Sequence, residues 1–359
     1  MLMVVFGAGA SYDSFSDYPP ETGAEMDRRP PLANQLFELR FANTIEQFPQ
    51  CQPIIRHLRQ QGSDLAPNVE QVLQKFQDQA GRDPERYIQL AAIRYYLQTI
   101  LWNCQTQWRQ VTHGATNYAT ILDQIRRYHQ RHQNERICLA TFNYDTLLEE
   151  ALHVVRVKTK VISDYIASDY QIIKLHGSIN WGREVNNDIP DIEKLSEMQV
   201  ASELIDNAAE LKISDSYHIT SNPPRQAPFV NRPPRLGIQK AIQPIRPPLL
   251  FPALTIPVEN KSEYECPKEH SQTMERNLPR VTDLMIIGWR ASEKPFLKSL
   301  GSSLERDTRI LVISSSREKA IGLVGKMKDA GITGNFSTAN GGFSNSTRIG
   351  GEVESFLEV

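Results

Sequence analysis

Short apolar runs alternate along this chain with longer stretches in which apolar residues recur every three or four positions. Five runs of five or six residues are largely apolar and end at a glycine or a polar residue: Leu2–Phe6, Ile137–Phe142, Tyr170–Leu175, Asp283–Ile287 and Arg309–Ile313. Such runs are typical of central strands in a parallel sheet, which are covered on both faces. Because helical patterns separate them, the sequence predicts an α/β fold with a Rossmann-like parallel sheet.

Between about residues 32 and 130 the pattern changes to the period of a helix. Four apolar residues fall on one helix face, with Asn68 as a suitable N-cap: Val69, Val72, Leu73 and Phe76. Asp83 followed by Pro84 predicts the start of another helix. We therefore expect a helical subdomain, residues 32–133, inserted into a Rossmann-like NAD-binding and catalytic domain formed by residues 1–31 and 134–359.

The second half of the chain predicts one irregular region and one clear helix. Paired prolines indicate loops over about residues 185–246. A helical pattern over Arg317–Asp329 follows the fifth apolar run, and the sequence GITGNF near the end predicts a last short strand.

Composition and charge exclude several classes of function. The chain has 359 residues, is 40% apolar and has a formal net charge of −2 without a long run of one sign, so we expect no direct nucleic-acid binding. No apolar segment reaches the roughly 20 residues that span a bilayer, and the start lacks a signal-peptide pattern, which predicts a cytoplasmic protein without membrane contact. The four cysteines form no C-x-x-C pair, so we expect neither a metal nor a disulfide framework.

A glycine-rich turn follows the first predicted strand. Its glycines would let the backbone pass close to a pyrophosphate, whose charge backbone N–H groups meet at a helix start. The third glycine of the dehydrogenase fingerprint is replaced by Tyr12, and no acidic residue follows at the end of a second strand. The alternative is a turn that is merely tight. The predicted phosphate-binding residues are Gly7, Ala8, Gly9, Ala10 and Ser11.

The second predicted strand ends in the sequence TFNYD. Ligands of open parallel sheets bind beyond the carboxyl ends of the strands, so Thr141, Asn143 and Asp145 are expected to face the ligand crevice. The amide of Asn143 can hold a ribose hydroxyl or a water, because it both donates and accepts hydrogen bonds. In the alternative, Asn143 ends the strand and Asp145 caps the next helix, where Thr146 and Glu149 have the spacing of a capping box.

The third predicted strand ends in the sequence KLHGSINW. His176, followed by Gly177, can sit in a cleft without crowding and can act as a proton acceptor near neutral pH. The alternative is a structural histidine. Taken together, three strand ends would supply one crevice with phosphate donors, an amide and an imidazole.

These motifs resemble those of the sirtuin-like family, and they are closest to its divergent bacterial branch from antiphage defence systems. VVFGAGAS is similar to the phosphate loop, TFNYDTLLE to the segment whose asparagine lies at the nicotinamide ribose, and KLHGSINW to the segment with the catalytic histidine. MIIGWRASEKPF resembles the late strand-and-loop motif, and VISSS the strand end near the adenosine ribose. The scattered cysteines depart from the four-cysteine zinc module of protein deacylases, and the phosphate loop lacks the glycine–isoleucine–proline–aspartate type continuation.

The resemblance implies an NAD⁺ hydrolase that cleaves the nicotinamide–ribose bond and acts by NAD depletion in antiphage defence. Asn143 and His176 would be catalytic with support from Asp145, and NAD would be substrate, with no metal. The expected NAD-binding residues are Gly7, Ala8, Gly9, Ala10, Ser11, Thr141, Gly288 and Ser314. Two alternatives remain: a non-catalytic NAD or ADP-ribose sensor, and an NAD-dependent protein deacylase. Similar systems imply a homo-oligomer that docks on a HerA-type ATPase or a short Argonaute.

Overall fold

The computed structural model describes residues 1–18, 28–60, 69–133, 135–187, 189, 191, 194–223, 248–258 and 264–358. Nine strands lie in this part of the chain: β1 (Leu2–Phe6), β2 (Ile137–Thr141), β3 (Tyr170–Lys174), β4 (Gly177–Val185), β5 (Ile213–Ile219), β6 (Leu249–Leu254), β7 (Asp283–Ile287), β8 (Arg309–Ile313) and β9 (Asn335–Ala339).

The described helices cover the faces of these strands or form a separate layer. The α-helices are α1 (Ala8–Tyr12), α2 (Ala42–Ile45), α3 (Gln52–Gln60), α4 (Val69–Ala80), α5 (Pro84–Thr112), α6 (Asn117–Arg131), α7 (Leu147–Ala151), α8 (Asp164–Ala167), α9 (Glu197–Asp206), α10 (Lys268–Asn277), α11 (Lys294–Ser303), α12 (Arg317–Asp329), α13 (Gly342–Ser346) and α14 (Glu352–Glu358). Short 3₁₀ helices span Ala33–Gln35, Leu39–Phe41, Pro49–Cys51, Leu152–Val155 and Leu278–Arg280.

Six strands form one parallel sheet in the order β3-β2-β1-β7-β8-β9. The strands β1, β2, β3 and β7 are buried along their whole length, which explains their continuous apolar sequences. From β1 the chain moves outward to β2 and β3 and later returns to β7 on the other side. The predicted α/β fold with a Rossmann-like parallel sheet is confirmed, and β1 lies where the strand order reverses, the usual place for a ligand crevice.

Three further strands form a small antiparallel sheet in the order β5-β4-β6. One apolar core surrounds the parallel sheet, and a second joins α4, α5 and α9 to β4 and β6. The helical region therefore shares a core with the small sheet. The division into domains at residues 32 and 133 stays a prediction.

Two details of the sequence-based expectation are wrong, and others lie outside the described residues. Part of the region 185–246 is regular, because it contains α9 and β5, whereas residues 224–247 lie outside the described part. The capping box of Thr146 and Glu149 is not formed, since Thr146 makes no side-chain cap hydrogen bond. Asp83 does cap α5, accepting a hydrogen bond from the Glu85 N–H at 3.1 Å. Asn68 lies outside the described residues.

Within the described ranges, no helix is both long and apolar enough to cross a bilayer. The same ranges contain no group of three His, Cys, Asp or Glu side chains that could hold a metal ion. All four cysteines are buried and free.

Candidate active site

A cavity of about 820 Å³, counted with its open mouth, lies at the carboxyl ends of β1, β2, β3 and β7. On the sheet side it is lined by Gly7, Ala8, Ser11, Phe142, Asn143, Tyr144, Asp145, His176, Gly288, Trp289, Arg290, Ser292 and Glu293. The opposite wall consists of Pro30, Pro31, Ala33, Leu36, Glu70, Leu101 and Pro257. The cavity therefore lies between the parallel sheet and the helical layer.

The glycine turn after β1 is packed backbone to backbone against the turn after β7. The N–H of Gly7 donates to the Ile287 carbonyl at 2.9 Å, and the N–H of Gly9 donates to the Gly288 carbonyl at 3.0 Å. A Cβ on Gly7 would lie 2.6 Å from that Gly288 oxygen, so no larger residue fits. Gly288 itself has φ +63 and leaves no room for a Cβ, which would lie 2.3 Å from the Ala10 nitrogen. These glycines are needed for the crossing of two turns.

The five predicted phosphate-binding residues therefore divide into two groups. Gly7, Ala8 and Ser11 line the cavity, whereas Gly9 and Ala10 lie against Gly288 and are not among the described lining residues. The helix that follows has one short turn, Ala8–Tyr12. Three of the backbone N–H groups expected to meet a phosphate, those of Gly7, Gly9 and Ala10, are already bound to protein carbonyls.

Asn143 is held by its amide nitrogen against the glycine turn. Its Nδ2 donates to the Gly7 carbonyl at 2.9 Å, and it also lies 2.9 Å from Ser11 Oγ and 3.1 Å from the Tyr118 hydroxyl. Because a carbonyl oxygen can only accept, the NH₂ group has to face Gly7, and this fixes the orientation of the amide. The other atom, Oδ1, is buried and has no hydrogen-bond partner among the described residues.

A buried acceptor without a partner is costly, by about 1–3 kcal/mol. Asn143 is only 5% exposed and lines the cavity, so its Oδ1 is available to a hydroxyl group or a water that enters. The backbone N–H of Asn143 donates to Thr141 Oγ1 at 3.0 Å. Thr141 is not among the described lining residues and reaches the site only through Asn143.

His176 lies at the end of β3 between two aromatic rings. The ring centroids of Phe142 and Tyr144 are 4.9 Å and 6.0 Å from that of the imidazole. Nε2 lies 3.7 Å from Oε1 of Glu293. Gly177 follows with φ +77, and a Cβ there would lie 2.0 Å from the Ala253 carbonyl oxygen of β6. The glycine after the histidine is thus required because the chain turns sharply beside β6 to begin the small sheet.

Asp145 lines the cavity and contacts a buried lysine. Its Oδ1 accepts a hydrogen bond from the Leu147 N–H at 3.1 Å, so Asp145 caps the start of α7. Burial raises the pKa of Asp145, and the charge of Lys174 and a hydrogen bond from Ser11 oppose that rise. The Lys174 ammonium donates to the Asp145 carbonyl oxygen. Asp145 is therefore both a cap and a cavity residue.

The same lysine pairs with a second buried carboxylate. Lys174 is fully buried, and its Nζ lies 2.9 Å from Oε1 of Glu149. Burial raises the pKa of Glu149, and the charge of Lys174 again opposes the rise. Because Glu149 pairs with Lys174, it is not available for the predicted capping box. Thr146 instead accepts a hydrogen bond from Gln105 of α5 at 2.6 Å.

Seven of the predicted site residues come together in the cavity: Asn143, His176, Asp145, Gly7, Ala8, Ser11 and Gly288. Ser314 does not belong to the described lining. It directly follows β8; its N–H donates to the Ala339 carbonyl at 3.2 Å and its carbonyl accepts from the Gly342 N–H at 3.0 Å. Ser314 lies beside Gly288, whose N–H donates to the Ile313 carbonyl at 3.2 Å.

Four cavity or neighbouring residues were missed: Tyr118, Tyr144, Arg290 and Glu293. Tyr144 stands between Asn143 and Asp145 in the TFNYD motif, and Arg290 and Glu293 lie in the late MIIGWRASEKPF motif, so the motifs contained a signal for them. Tyr118 comes from the first turn of α6 and reaches Asn143 only through packing. The sequence around Tyr118 carries no such signal.

No protein-family model and no curated protein matches this chain. Solved structures of Sir2 homologues align with it. A triple mutant in complex with 2′-O-acetyl ADP-ribose is 13% identical, with 99% of this chain and 91% of that chain covered and a TM-score of 0.40. A Sir2 homologue in complex with NAD is 13% identical, with 99% and 88% covered and a TM-score of 0.35. A single-site mutant in complex with ADP-ribose is 14% identical, with 99% and 91% covered and a TM-score of 0.38. Because these TM-scores are low, the fold class is assigned from the strand order of this chain's own sheet.

Proposed function

We propose that this chain is an NAD⁺ glycohydrolase of the sirtuin-like kind, which releases nicotinamide and ADP-ribose. One observation carries the proposal: the buried Oδ1 of Asn143 has no described partner and belongs to a cavity that also contains the imidazole of His176. A carboxamide acceptor and an imidazole at the carboxyl edge of a parallel sheet suit a ribose hydroxyl or an attacking water. The resemblance of the TFNYD and KLHGS motifs to sirtuin-like sequences supports the same choice.

Departure of the nicotinamide leaving group needs little assistance from the protein. The nicotinamide ring of NAD⁺ carries a positive charge and leaves as a neutral ring, so no strong general acid is required. The remaining task is to hold the ribose and to stabilise an oxocarbenium-like centre electrostatically. Asn143 would orient a ribose hydroxyl or the water through Oδ1. His176 would take a proton from one of them, a contribution of about 10²–10⁴ in rate.

The other predicted residues have roles that follow from their places. Asp145 lies in the cavity as a buried carboxyl group next to Lys174, where it would support the positive charge of the ribosyl centre when ionised. Ala8, Ser11 and Gly288 would lie along the pyrophosphate, with the exposed Arg290 as a cation in the cavity lining. Ser314, at the neighbouring strand end, would lie towards the adenosine half.

The proposal is tested by measuring NAD⁺ loss and nicotinamide release with the purified chain. We expect Asn143→Ala and His176→Ala to abolish turnover while the folded protein remains, as judged by circular dichroism. His218→Ala is a matched control, because His218 is a half-buried histidine on β5 outside the described cavity lining. Unchanged turnover in either site variant would exclude the proposed roles. Binding of NAD⁺ without turnover in the wild type would favour a sensor, and turnover only with an acylated peptide would favour a deacylase.

We further propose that the protein is the effector of an antiphage defence system and works as a homo-oligomer with a HerA-type ATPase or a short Argonaute as its partner. Unregulated NAD destruction would kill the host, so the activity requires control. The helical region, residues 32–133, would be a contact for such a partner, because it forms one wall of the cavity. Co-expression with the neighbouring gene product, followed by pull-down and an NAD⁺ assay, tests this. A partnerless, fully active monomer would contradict it.

A further inference from the structure

The cavity contains an anchored carboxylate, Glu293, beside the imidazole. Glu293 is 8% exposed and lines the cavity. Its Oε2 accepts a hydrogen bond from the indole N–H of Trp289 at 2.5 Å, and its Oε1 lies 3.7 Å from His176 Nε2. One carboxylate oxygen is therefore fixed by the protein, and the other is at ion-pair distance from the imidazole.

The loop that carries Glu293 directs the side chain into the cavity. Glu293 is the residue before α11, a position where acidic side chains commonly cap the helix, but it makes no side-chain cap hydrogen bond. The loop contains two residues in the left-handed region, Gly288 with φ +63 and Ala291 with φ +53. For alanine this conformation costs about 1–2 kcal/mol. A strained backbone thus brings the carboxylate back towards β3.

An aromatic stack fixes the imidazole and the carboxylate relative to each other. The Trp289 ring stacks on Phe142 with a centroid distance of 5.4 Å and an interplanar angle of 8°. Phe142 in turn contacts the His176 ring at 4.9 Å. Trp289 therefore holds Glu293 by its N–H and supports the imidazole plane through Phe142. Both side chains are therefore held in position by the protein itself, which is what electrostatic stabilisation during a reaction requires.

We propose that Glu293 is a positioning residue for His176 and that its negative charge stabilises the imidazolium formed when His176 takes a proton. The inference rests on the proposed NAD⁺ cleavage. In that step an O–H bond of the attacking water breaks and the proton moves to the imidazole. The oxygen keeps the electron pair and attacks the anomeric carbon, while nicotinamide leaves with the pair of the C–N bond. An opposite charge at about 4–6 Å or less favours the charged form of a group.

Other ionisable groups face the same space, and they have to be held constant in a test. They are Tyr144 and Asp145 after β2, Glu70 of α4 and Arg290 in the loop of Glu293. A substitution confined to Glu293 leaves all of them in place. Glu293→Gln also keeps an oxygen that can accept the Trp289 N–H, so it removes the charge while preserving the anchor.

Steady-state kinetics with Glu293→Gln and a matched control provide the first test. We expect kcat to fall about 10- to 100-fold, part of the 10²–10⁴ that a general base supplies, while KM for NAD⁺ changes less than about twofold. The control is Glu184→Gln, which removes a carboxylate 3.2 Å from His218 Nε2 outside the described cavity lining and should leave both constants unchanged. Glu293→Asp, which keeps the charge, should retain more activity than Glu293→Gln. An unchanged kcat in Glu293→Gln would overturn the inference.

A second measurement does not depend on turnover. The imidazole resonances of His176 are identified by NMR from their loss in His176→Ala, and their pH titration is compared between wild type and Glu293→Gln. We expect the midpoint to move to lower pH by about 1 or more when the carboxylate is removed. An unmoved midpoint would overturn the inference even in an inactive protein, whereas a wild type that consumes no NAD⁺ would contradict the proposed function alone.

A third variant covers the case in which Glu293→Gln does not fold. Trp289→Phe removes the anchor and keeps the charge, so kcat should fall about tenfold through loss of position, a small part of the 10²–10⁴ that a general base supplies. If Trp289→Phe folds and turns over NAD⁺ at the wild-type rate, the anchored carboxylate has no positioning role.

Discussion

Replacing the buried Lys174 by methionine should destabilise the protein in a manner that depends on pH. The Lys174 ammonium is fully buried, and its partner Glu149 has a side chain that is 6% exposed. Without the lysine, the Glu149 carboxylate would be left in an apolar environment. It avoids that by taking up a proton, since burial already raises its pKa.

The free-energy cost of protonating Glu149 determines how much stability the variant loses. Glu149 starts from an ordinary pKa of 4.5 in the unfolded chain. Holding it protonated in the folded state costs about 1.4 kcal/mol for each pH unit above that value, which is about 3.4 kcal/mol at pH 7 and about 0.7 kcal/mol at pH 5. The folded state binds the extra proton, so stability falls as the pH rises above the unfolded pKa. Because Glu149 already has a raised pKa in the wild type, these figures are upper bounds for the Glu149 contribution alone. Asp145, whose pKa Lys174 also lowers, adds a loss in the same direction.

Urea denaturation followed by tryptophan fluorescence, at pH 5 and at pH 7, measures the effect. Relative to wild type, Lys174→Met should lose about 2–3 kcal/mol more at pH 7 than at pH 5. Lys194→Met is the control, because that lysine is 71% exposed and its pair with Asp191 lies at the surface. An equal loss at the two pH values, or a loss below about 0.5 kcal/mol at pH 7, would refute the reasoning.

Two further predictions concern the turns around the cavity. Gly288→Ala should destabilise the fold by more than about 2 kcal/mol in the same assay, because its Cβ would lie 2.3 Å from the Ala10 nitrogen at a φ of +63. Gly322→Ala in α12 is the control. Its Cβ would have no heavy atom within 4 Å, so it should stabilise the protein by about 0.5–1 kcal/mol. Equal effects in the two variants would contradict the packing of the two turns. Arg290→Gln should raise KM for NAD⁺ about 3- to 10-fold with kcat within about twofold, since Arg290 would bind a phosphate away from the reacting carbon. If only kcat fell, the proposed contact between Arg290 and a phosphate of NAD⁺ would be excluded.

Five strands of the parallel sheet, β1, β2, β3, β7 and β8, could be predicted from the sequence almost to the residue, for a physical reason. Central parallel strands are buried on both faces, so their apolar runs stand out and end where the backbone leaves the sheet. Asn143 and His176 could be found by the same reasoning, because each follows a strand directly and the carboxyl ends of parallel strands meet at one edge. Most of the site residues could therefore be predicted from their position at the shared edge of the sheet.

Contacts between distant segments could not be predicted in this way. Tyr118 reaches Asn143 from a helix that begins 26 residues earlier in the chain, and nothing local marks it. Thr146 has the sequence pattern of a cap, but its side chain accepts from Gln105 of another helix and donates to Glu150, so it makes no cap hydrogen bond. The helix α9 was missed because prolines dominated the region, although Ser196 and Gln199 form a capping box that the sequence contains.

His176 is the last residue before the chain passes from the large parallel sheet into the small antiparallel one. The backbone of His176 is bound beside the small sheet, because its carbonyl accepts a hydrogen bond from the Thr255 N–H at 3.0 Å. Glu293 belongs to the large sheet, in the loop after β7. The distance between these two side chains therefore depends on how the two sheets are oriented relative to each other. A rotation of the small sheet relative to the large one would therefore change the distance between the imidazole and the carboxylate.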